Sequence, residues 1–428
     1  MTAFSGWRID IFEGTGFTEI TSFVQGFTTT SKIEIGRPST LNAVLTLDND
    51  EGDFTPSEGG GTGTYASTNW LTVGIRITQQ TNPDTTLSFI GIITDFKIVD
   101  NGTNSTVQII ANDWLSVAAG EAANITESLT GTDPTQIIND LLNGIFGAGV
   151  VFPNFGQSGA SLTPVQSYAA DGVNWNVGRA AASSVTAIDY IVVDILAAIP
   201  AIMIPSSITT NTFPATAIYF NYEYFTRSIT RKTAERYEFN FSESPTGTTL
   251  PFVNIAPGFD FDGLTTIAEV QSGITGVTSQ TSTSGTSSSY GTRSRYYSGT
   301  GNLYESDFDV YGGALQVAEF WTKRQADTRY VPRQLTTSVE LIEDRNSTAA
   351  ATPTANLLSI KGVWQPCAIT YTPTAGSQVT ANCVIAGRTI QAVPGRTTIT
   401  LDLLPAQDYQ SFVLDSDTLG VLDTNRLG

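Results

Sequence analysis

Gly36 to Pro56 opens with a Gly-Arg-Pro turn and runs on as Leu41-Asn42-Ala43-Val44-Leu45-Thr46-Leu47, a β-rich stretch. It then breaks at the polar corner Asp48-Asn49-Asp50-Glu51-Gly52-Asp53 and closes on Phe54-Thr55-Pro56. This is the pattern of a strand ending in an acidic turn, with an aromatic staple on its far side. Residues 1–118 repeat it, reading as strands at 7–12, 22–29, 32–35, 41–47, 71–79, 86–99 and 106–111. The turns between them are rich in Gly, Asn and Asp, as in Asp100-Asn101-Gly102.

Composition agrees with a β-rich chain. Charged residues make up 14% of the 428, against roughly 25% in a typical soluble domain. Thr, Ser, Gly and Asn take their place, which favours a rigid β protein with a polar surface over a helical enzyme. With 40% hydrophobic residues there is material for sizeable cores, and the length predicts two to four domains. The formal net charge is −19. Such a chain lacks the cation excess that drives binding to phosphate backbones. The first 118 residues carry five basic and thirteen acidic side chains, a net of −8, so acidity is concentrated there.

Farther along, residues 119–250 read as mixed α/β, with a helix start at Thr132-Asp133-Pro134 and a buried helix over 184–199. The apolar segment from Val185 to Pro205 contains Asp189, Asp194 and Pro200, which argues against a membrane span. Strands are expected at 216–225 and 236–241, a mobile Ser/Thr-rich loop at 278–289, and a helix at 313–326. Further strands are expected at 334–343, 356–363, 368–372, 379–390 and 397–404. The N-terminus has neither the basic nor the apolar region of a secretory signal. An internal echo is also present. Ile90-Gly91, a strand, Asp100-Asn101-Gly102 and Ser105–Ile109 match Ile385-Ala386-Gly387, a strand, Val393-Pro394-Gly395 and Thr397–Leu401. It suggests two copies of one β unit separated by an insert.

The chain has no histidine, which removes Ser-His-Asp, Cys-His and zinc-histidine chemistry together. Cys367 and Cys383 lie in neighbouring expected strands, where a bridge is geometrically open, although isolated cysteines usually serve as small buried apolar groups. Gly59-Gly60-Gly61-Thr62-Gly63 lacks the Lys-Ser/Thr and following helix of a phosphate-binding loop and reads as a flexible turn. Asp48, Asp50 and Asp53 cluster about Gly52, with Glu58 six residues beyond it. Pro56 and the flanking strands exclude a helix-loop-helix calcium site, so the cluster reads as a solvated acidic turn with no cofactor. Acid pairs such as Asp260/Asp262 and Glu305/Asp307/Asp309 are expected by chance among forty acidic residues and select no glycosidase. Arg227/Arg231/Lys232/Arg236 and Lys323/Arg324/Arg329/Arg333 read as solvated or inter-subunit ion-pairing faces.

Three stretches resemble the bacteriophage minor tail protein family in its tail-tip, or baseplate hub, form. They are Ala43–Pro56, Tyr290-Gly291-Thr292-Arg293 with the helix holding Ala318, Trp321 and Arg324, and the tail from Phe412-Val413-Leu414-Asp415 to Gly428. The resemblance implies a non-enzymatic virion protein, made in the bacterial host cytoplasm, that is mainly β with α+β inserts. Two tube-like β-barrels would be joined by mixed α/β domains. A first barrel would span 1–118, a mixed domain 119–250, strands with the Ser/Thr insertion and helix 251–334, and second-barrel strands with the C-terminal tail 335–428. It further implies a homotrimer that adapts a six-fold tail tube to a three-fold tip, with a tube or distal tail protein above and fibre or tip proteins below. DNA would pass through the lumen without specific binding. In that setting Asp48, Asn49, Gly52, Phe54 and Pro56 shape the first barrel's turn, and Asp48, Asp50, Glu51 and Asp53 are lumen-facing acids. Two rivals differ in class. A receptor- or glycan-binding tail protein would display Tyr219–Phe225 or Tyr296-Tyr297, and a cell-wall hydrolase would depend on one carboxylate.

Overall fold

The computed structural model describes residues 6–12, 17–32, 40–70, 73–80, 85–112, 218–223, 228–233, 239–259, 264–271, 280–284, 287–298, 322, 330–346, 350–359, 362–363 and 365–405. The helix expected to start at Thr132-Asp133-Pro134 and run over 135–142, and those expected at 184–199 and, but for Thr322, 313–326, lie outside them.

The first block contributes β1 (Trp7–Phe12), β2 (Phe17–Glu19), β3 (Val24–Lys32), β4 (Thr40–Asp48), β5 (Gly74–Gln80), β6 (Thr85–Asp100) and β7 (Ser105–Asn112). Then come β8 (Ile218–Glu223), β9 (Ser228–Thr233), β10 (Phe239–Ser242), β11 (Asn254–Phe259), β12 (Ile267–Gln271), β13 (Gln280–Thr283) and β14 (Ser294–Ser298). The last are β15 (Tyr330–Ser338), β16 (Pro366–Tyr371), β17 (Val379–Val393) and β18 (Arg396–Pro405). Thirteen strands form one sheet in the order β11-β15-β18-β17-β3-β4-β7-β6-β5-β1-β2, with β16 on β17 and β10 on β16. All its pairings are antiparallel except β10 with β16. Among the described strands the path has two ends, β11 and β2, and does not close on itself.

Alternation explains how these strands share a core. Along β4, Leu41, Ala43, Leu45 and Leu47 are buried while Asn42 is exposed and Val44 and Thr46 are half-buried. Each such leucine withdrawn from water stabilises the fold by roughly 1.5–3 kcal/mol. The same face continues through Ile9, Ile77, Phe89 and Ile109 to Leu335, Ile385, Ile399 and Leu401 in one cluster. A charge is buried on the other face of β1 from Ile9. Asp10 is fully buried, with Arg8 Nε 2.8 Å from one carboxylate oxygen and Arg76 Nη2 2.9 Å from the other. The Arg76 guanidinium lies 3.6 Å over the Phe17 ring.

Two expected strands are helical in part. The run 334–343 leaves the sheet after Ser338 and becomes α1 (Val339–Asn346), and the first three residues of 356–363 close α2 (Ala351–Leu358). The Ser338 hydroxyl accepts the Leu341 N–H at 3.1 Å, an N-cap, and burial of Val339 and Ile342 follows helical spacing. The Ser/Thr-rich stretch departs from the loop expectation too. Gln280–Thr283 pairs with β12, and β14 completes a three-stranded sheet. Backbone ladder bonds make that strand, without any apolar side chain.

Candidate functional site: an acidic corner and an internal strand junction

The corner after β4 is built by Asn49, which is 3% exposed. Its side-chain oxygen accepts the Phe54 N–H at 2.8 Å, while Nδ2 donates to Thr55 Oγ1 at 3.2 Å and Ser105 Oγ at 3.0 Å. Gly52 has φ 73°, a backbone that L side chains adopt only at a cost. The Gly52 N–H reaches the Asn49 carbonyl at 2.8 Å. Three of the four acids each hold a separate backbone amide. Asp48 accepts from Asp50 N–H at 3.0 Å, Asp50 from Ser105 N–H at 2.7 Å, and Asp53 from Thr64 N–H and Oγ1 at 3.2 and 2.9 Å. Carboxylates aimed at different amides do not converge on an ion. Among the described residues no group of three or more His, Cys, Asp or Glu could hold a metal. Asp50 and Glu51 are exposed, Asp48, Gly52, Asp53 and Pro56 are half-buried, and Phe54 is fully buried.

Phe54 is the staple. Its ring stacks on Tyr65 at 5.0 Å and meets Phe23 edge-on at 5.1 Å and Trp70 at 5.6 Å, and Trp70 stacks on Phe96 at 4.9 Å. The glycine run that reads as flexible is packed against this corner. A Cβ on Gly61 would stand 1.8 Å from the Thr55 carbonyl oxygen, and one on Gly63 2.4 Å from Asp53 Cα. Backbone lying on backbone needs glycine there, a requirement that low-complexity composition does not signal.

The internal echo is a register-level repeat. Gly74 pairs with Ile92 and Pro366 with Val384; Ile77 with Phe89 and Ile369 with Ala381; Ile98 with Val107 and Ile390 with Ile399. Every position is displaced by 292 residues (366 − 74 and 384 − 92 alike). The β-bulge recurs as well, after Ile93 in β6 and after Ile385 in β17. Gly387 therefore corresponds to Asp95, not to the Gly91 suggested by the sequence echo, whereas Ser105–Ile109 does correspond to Thr397–Leu401. The adjoining strands follow suit: Leu45 faces Ile109 as Leu335 faces Leu401, and Phe27 faces Leu45 as Ile255 faces Leu335. The two units thus have the orders β5-β6-β7-β4-β3 and β16-β17-β18-β15-β11. In the second unit α1 and α2 occupy the β15-to-β16 connection, where the first unit has the acidic corner between β4 and β5.

The units are joined edge to edge. β17 pairs with β3 from Gly387↔Lys32 to Ala392↔Phe27, continuing the edge whose other half carries β16. Near it, Cys367 and Cys383 are directly opposed in register, yet both are buried free thiols. Burial pushes the Cys383 thiol up to about 12 and the Cys367 thiol well above its ordinary range. The exposed ring of Tyr296 lies on β14, while the basic residues 227–236 and 323–333 are largely outside the described residues.

No protein-family model matches the chain, and no curated protein matches its sequence. Its fold is similar to that of the tail protein from Neisseria meningitidis MC58, at TM-score 0.54 and 8% identity over 94% of this chain and 97% of that one. It is equally similar to the 43 kDa tail protein of prophage MuSo2 from Shewanella oneidensis, at TM-score 0.54 and 9% identity over 94% of this chain and all of that one. The chain, mainly β and built about a large antiparallel sheet, shares the fold of these two solved tail proteins.

Proposed function

We propose that this chain is a structural protein of a phage tail tip. In this reading it is a homotrimeric hub whose two β units each complete a tube-like barrel on assembly. The observation that carries this reading is the register-level repeat joined through β3 and β17. A chain with two like units presents six of them in a three-fold ring, which matches a six-fold tube above to a three-fold tip below. The rest of 119–250 and 251–334, apart from the sheet strands β10, β11 and β15, supplies the domains around the ring. The acidic corner is turn architecture, and its exposed carboxylates, Asp50 and Glu51 first among them, line a lumen that DNA crosses by repulsion.

Light scattering and negative-stain imaging of the purified chain test this. A mass of three copies and a ring with a central pore are expected. A monomer without a ring overturns the hub, and a lumen that is neutral or basic in the assembled ring overturns the repulsion role. A tail protein that instead binds glycans as a monomer belongs to the receptor-binding class.

A further inference from the structure

The hairpin joining β6 to β7 closes on the pair Asp100↔Ser105 and leaves Asn101, Gly102, Thr103 and Asn104 exposed at its tip. Its polar groups stand in a chemically meaningful order. The Gly102 N–H donates to Asp100 Oδ1 at 2.8 Å. Asn101 Oδ1 accepts three hydrogen bonds, from the Thr103 N–H at 3.1 Å, the Thr103 hydroxyl at 3.0 Å and the Asn104 N–H at 2.9 Å. Gly102, at φ 81°, places no side chain beside its own nitrogen. An amide nitrogen with a carboxylate on its proton therefore adjoins a carbonyl whose oxygen is held by three donors.

A hairpin tip does not require these groups, and the internal repeat shows it. The counterpart of Asp100↔Ser105 in the second unit is Ala392↔Thr397, and the tip there runs Val393-Pro394-Gly395-Arg396. Ala392 stands for Asp100 and Val393 for Asn101, so the carboxylate and the carboxamide are both missing. Pro394 stands for Gly102 and has no N–H. The same element thus forms without a proton acceptor, without an activated carbonyl and without a usable amide nitrogen. Bracing a turn does not account for all three meeting in the first unit.

The geometry points to Asn101 as a site of self-catalysed side-chain conversion, with Asp100 as the base. The Gly102 nitrogen attacks Asn101 Cγ and passes its proton to the Asp100 carboxylate. Negative charge gathering on Oδ1 meets three donors already in place. The bond from Cγ to Nδ2 then breaks, and the nitrogen leaves as ammonia with the proton that Asp100 returns. A cyclic imide now joins Asn101 to Gly102, and water opens it at either carbonyl to give aspartate or isoaspartate. The sum is an exchange of ammonia for water with no change of oxidation state. Nucleophile and electrophile are neighbours in the chain, so the step needs no second molecule but water. Either product adds a carboxylate to this tip, and isoaspartate also lengthens its backbone by one carbon. The second unit cannot follow, so conversion makes the two like units differ.

Peptide mapping of the full chain after incubation at neutral pH in heavy-oxygen water tests this, because the label marks each new carboxylate. Conversion at Asn101 is expected to be faster in the folded chain than in the same chain held unfolded in guanidinium chloride. Asp100→Asn keeps an acceptor for the Gly102 N–H but is too weak a base to take its proton. A positioned general base is commonly worth about 10²-fold, so the folded variant is expected to convert at residue 101 roughly tenfold more slowly or worse. Its urea midpoint should not change, and unfolded variant and unfolded parent should convert alike. A folded parent that converts no faster than the unfolded chain means that the turn only braces the hairpin, and it overturns the site. A folded Asp100→Asn chain that keeps the parent's rate overturns Asp100 as the base and the mechanism with it.

Discussion

Asn49 Oδ1 accepts the Phe54 N–H at 2.8 Å, so one amide side chain turns the chain off β4 and aims the aromatic staple into the core. Asn49→Ala leaves that buried N–H, together with the Thr55 and Ser105 hydroxyls, without the partner each now has. An unsatisfied buried donor costs about 1–3 kcal/mol, and the turn loses its internal brace as well. A loss of about 2–4 kcal/mol in urea unfolding is expected. Asn49→Asp keeps the acceptor, and both hydroxyls can rotate to donate, so its loss should be less than half as large. Equal losses would show that the Phe54 contact is not what holds the corner.

Gly63 and Gly60 separate two reasons for glycine in one loop. Gly60 has φ 84° and open space about its Cβ position, so Gly60→Ala should cost only the left-handed backbone, about 1 kcal/mol. Gly63→Ala drives a methyl into the Asp53 backbone at 2.4 Å, and overpacking of this kind costs about 1–3 kcal/mol or more. The larger loss at 63, with quenching or shift of the nearby Trp70 fluorescence, is the expected result. Equal costs at both positions would mean that the loop moves freely.

The strands of the first block were legible because alternation there is one-sided. Leu41, Ala43, Leu45 and Leu47 are buried, and strand bounds match expectation at 7–12 and differ by up to three residues elsewhere, while the strand expected at 32–35 lies, beyond Lys32, outside the described residues. The helices α1 and α2 were not, because 334–343 is continuous with a real strand and the change at Ser338 depends on a capping hydroxyl that also suits a strand. The corner reads as a turn, yet nothing in its sequence shows that Asp48, Asp50 and Asp53 are each committed to a particular amide. The repeat was seen in the Ser105–Ile109 and Thr397–Leu401 strands but misaligned in the strands before them. A bulge after Ile93 and after Ile385 shifts the pleat without leaving a residue signature.

Cys367 and Cys383 face each other as neutral thiols, held so by desolvation. An aromatic disulfide reagent at pH 8 should therefore titrate neither in the folded chain and both after denaturation. Unfolded thiols ionise near pH 9, whereas Cys383 in the fold keeps its proton to about 12. Above pH 9 the unfolded state then holds fewer protons, and stability must fall as pH rises through this window. Cys367→Ala/Cys383→Ala should remove that part of the alkaline loss, read as the difference between urea midpoints at pH 8 and pH 10.

Arg388 runs the opposite way. It is 1% exposed, and its Nη1 donates to the Leu357 and Ser359 carbonyls at the end of α2. Nε and Nη2 have no hydrogen-bond partner, and no ion pair compensates the cation among the described residues. Burial pulls the guanidinium down to about 9, so the folded state gives up its proton before the unfolded state does. This contribution gains stability as pH rises from 9 toward 12.5, against the thiols. Burying a lone cation costs several kcal/mol, whereas two charge-assisted bonds return about 1.5–3 kcal/mol each. The two nearly cancel. Arg388→Met, which fills most of the volume, should thus unfold within about 1 kcal/mol of the parent chain at pH 8 and steepen its alkaline loss, since the opposing term is gone. Arg388→Ala leaves both a cavity and bare helix-end carbonyls and should lose about 3–5 kcal/mol. A Met variant as unstable as the Ala variant would mean that the buried cation is fully compensated and holds α2 onto β17 by charge.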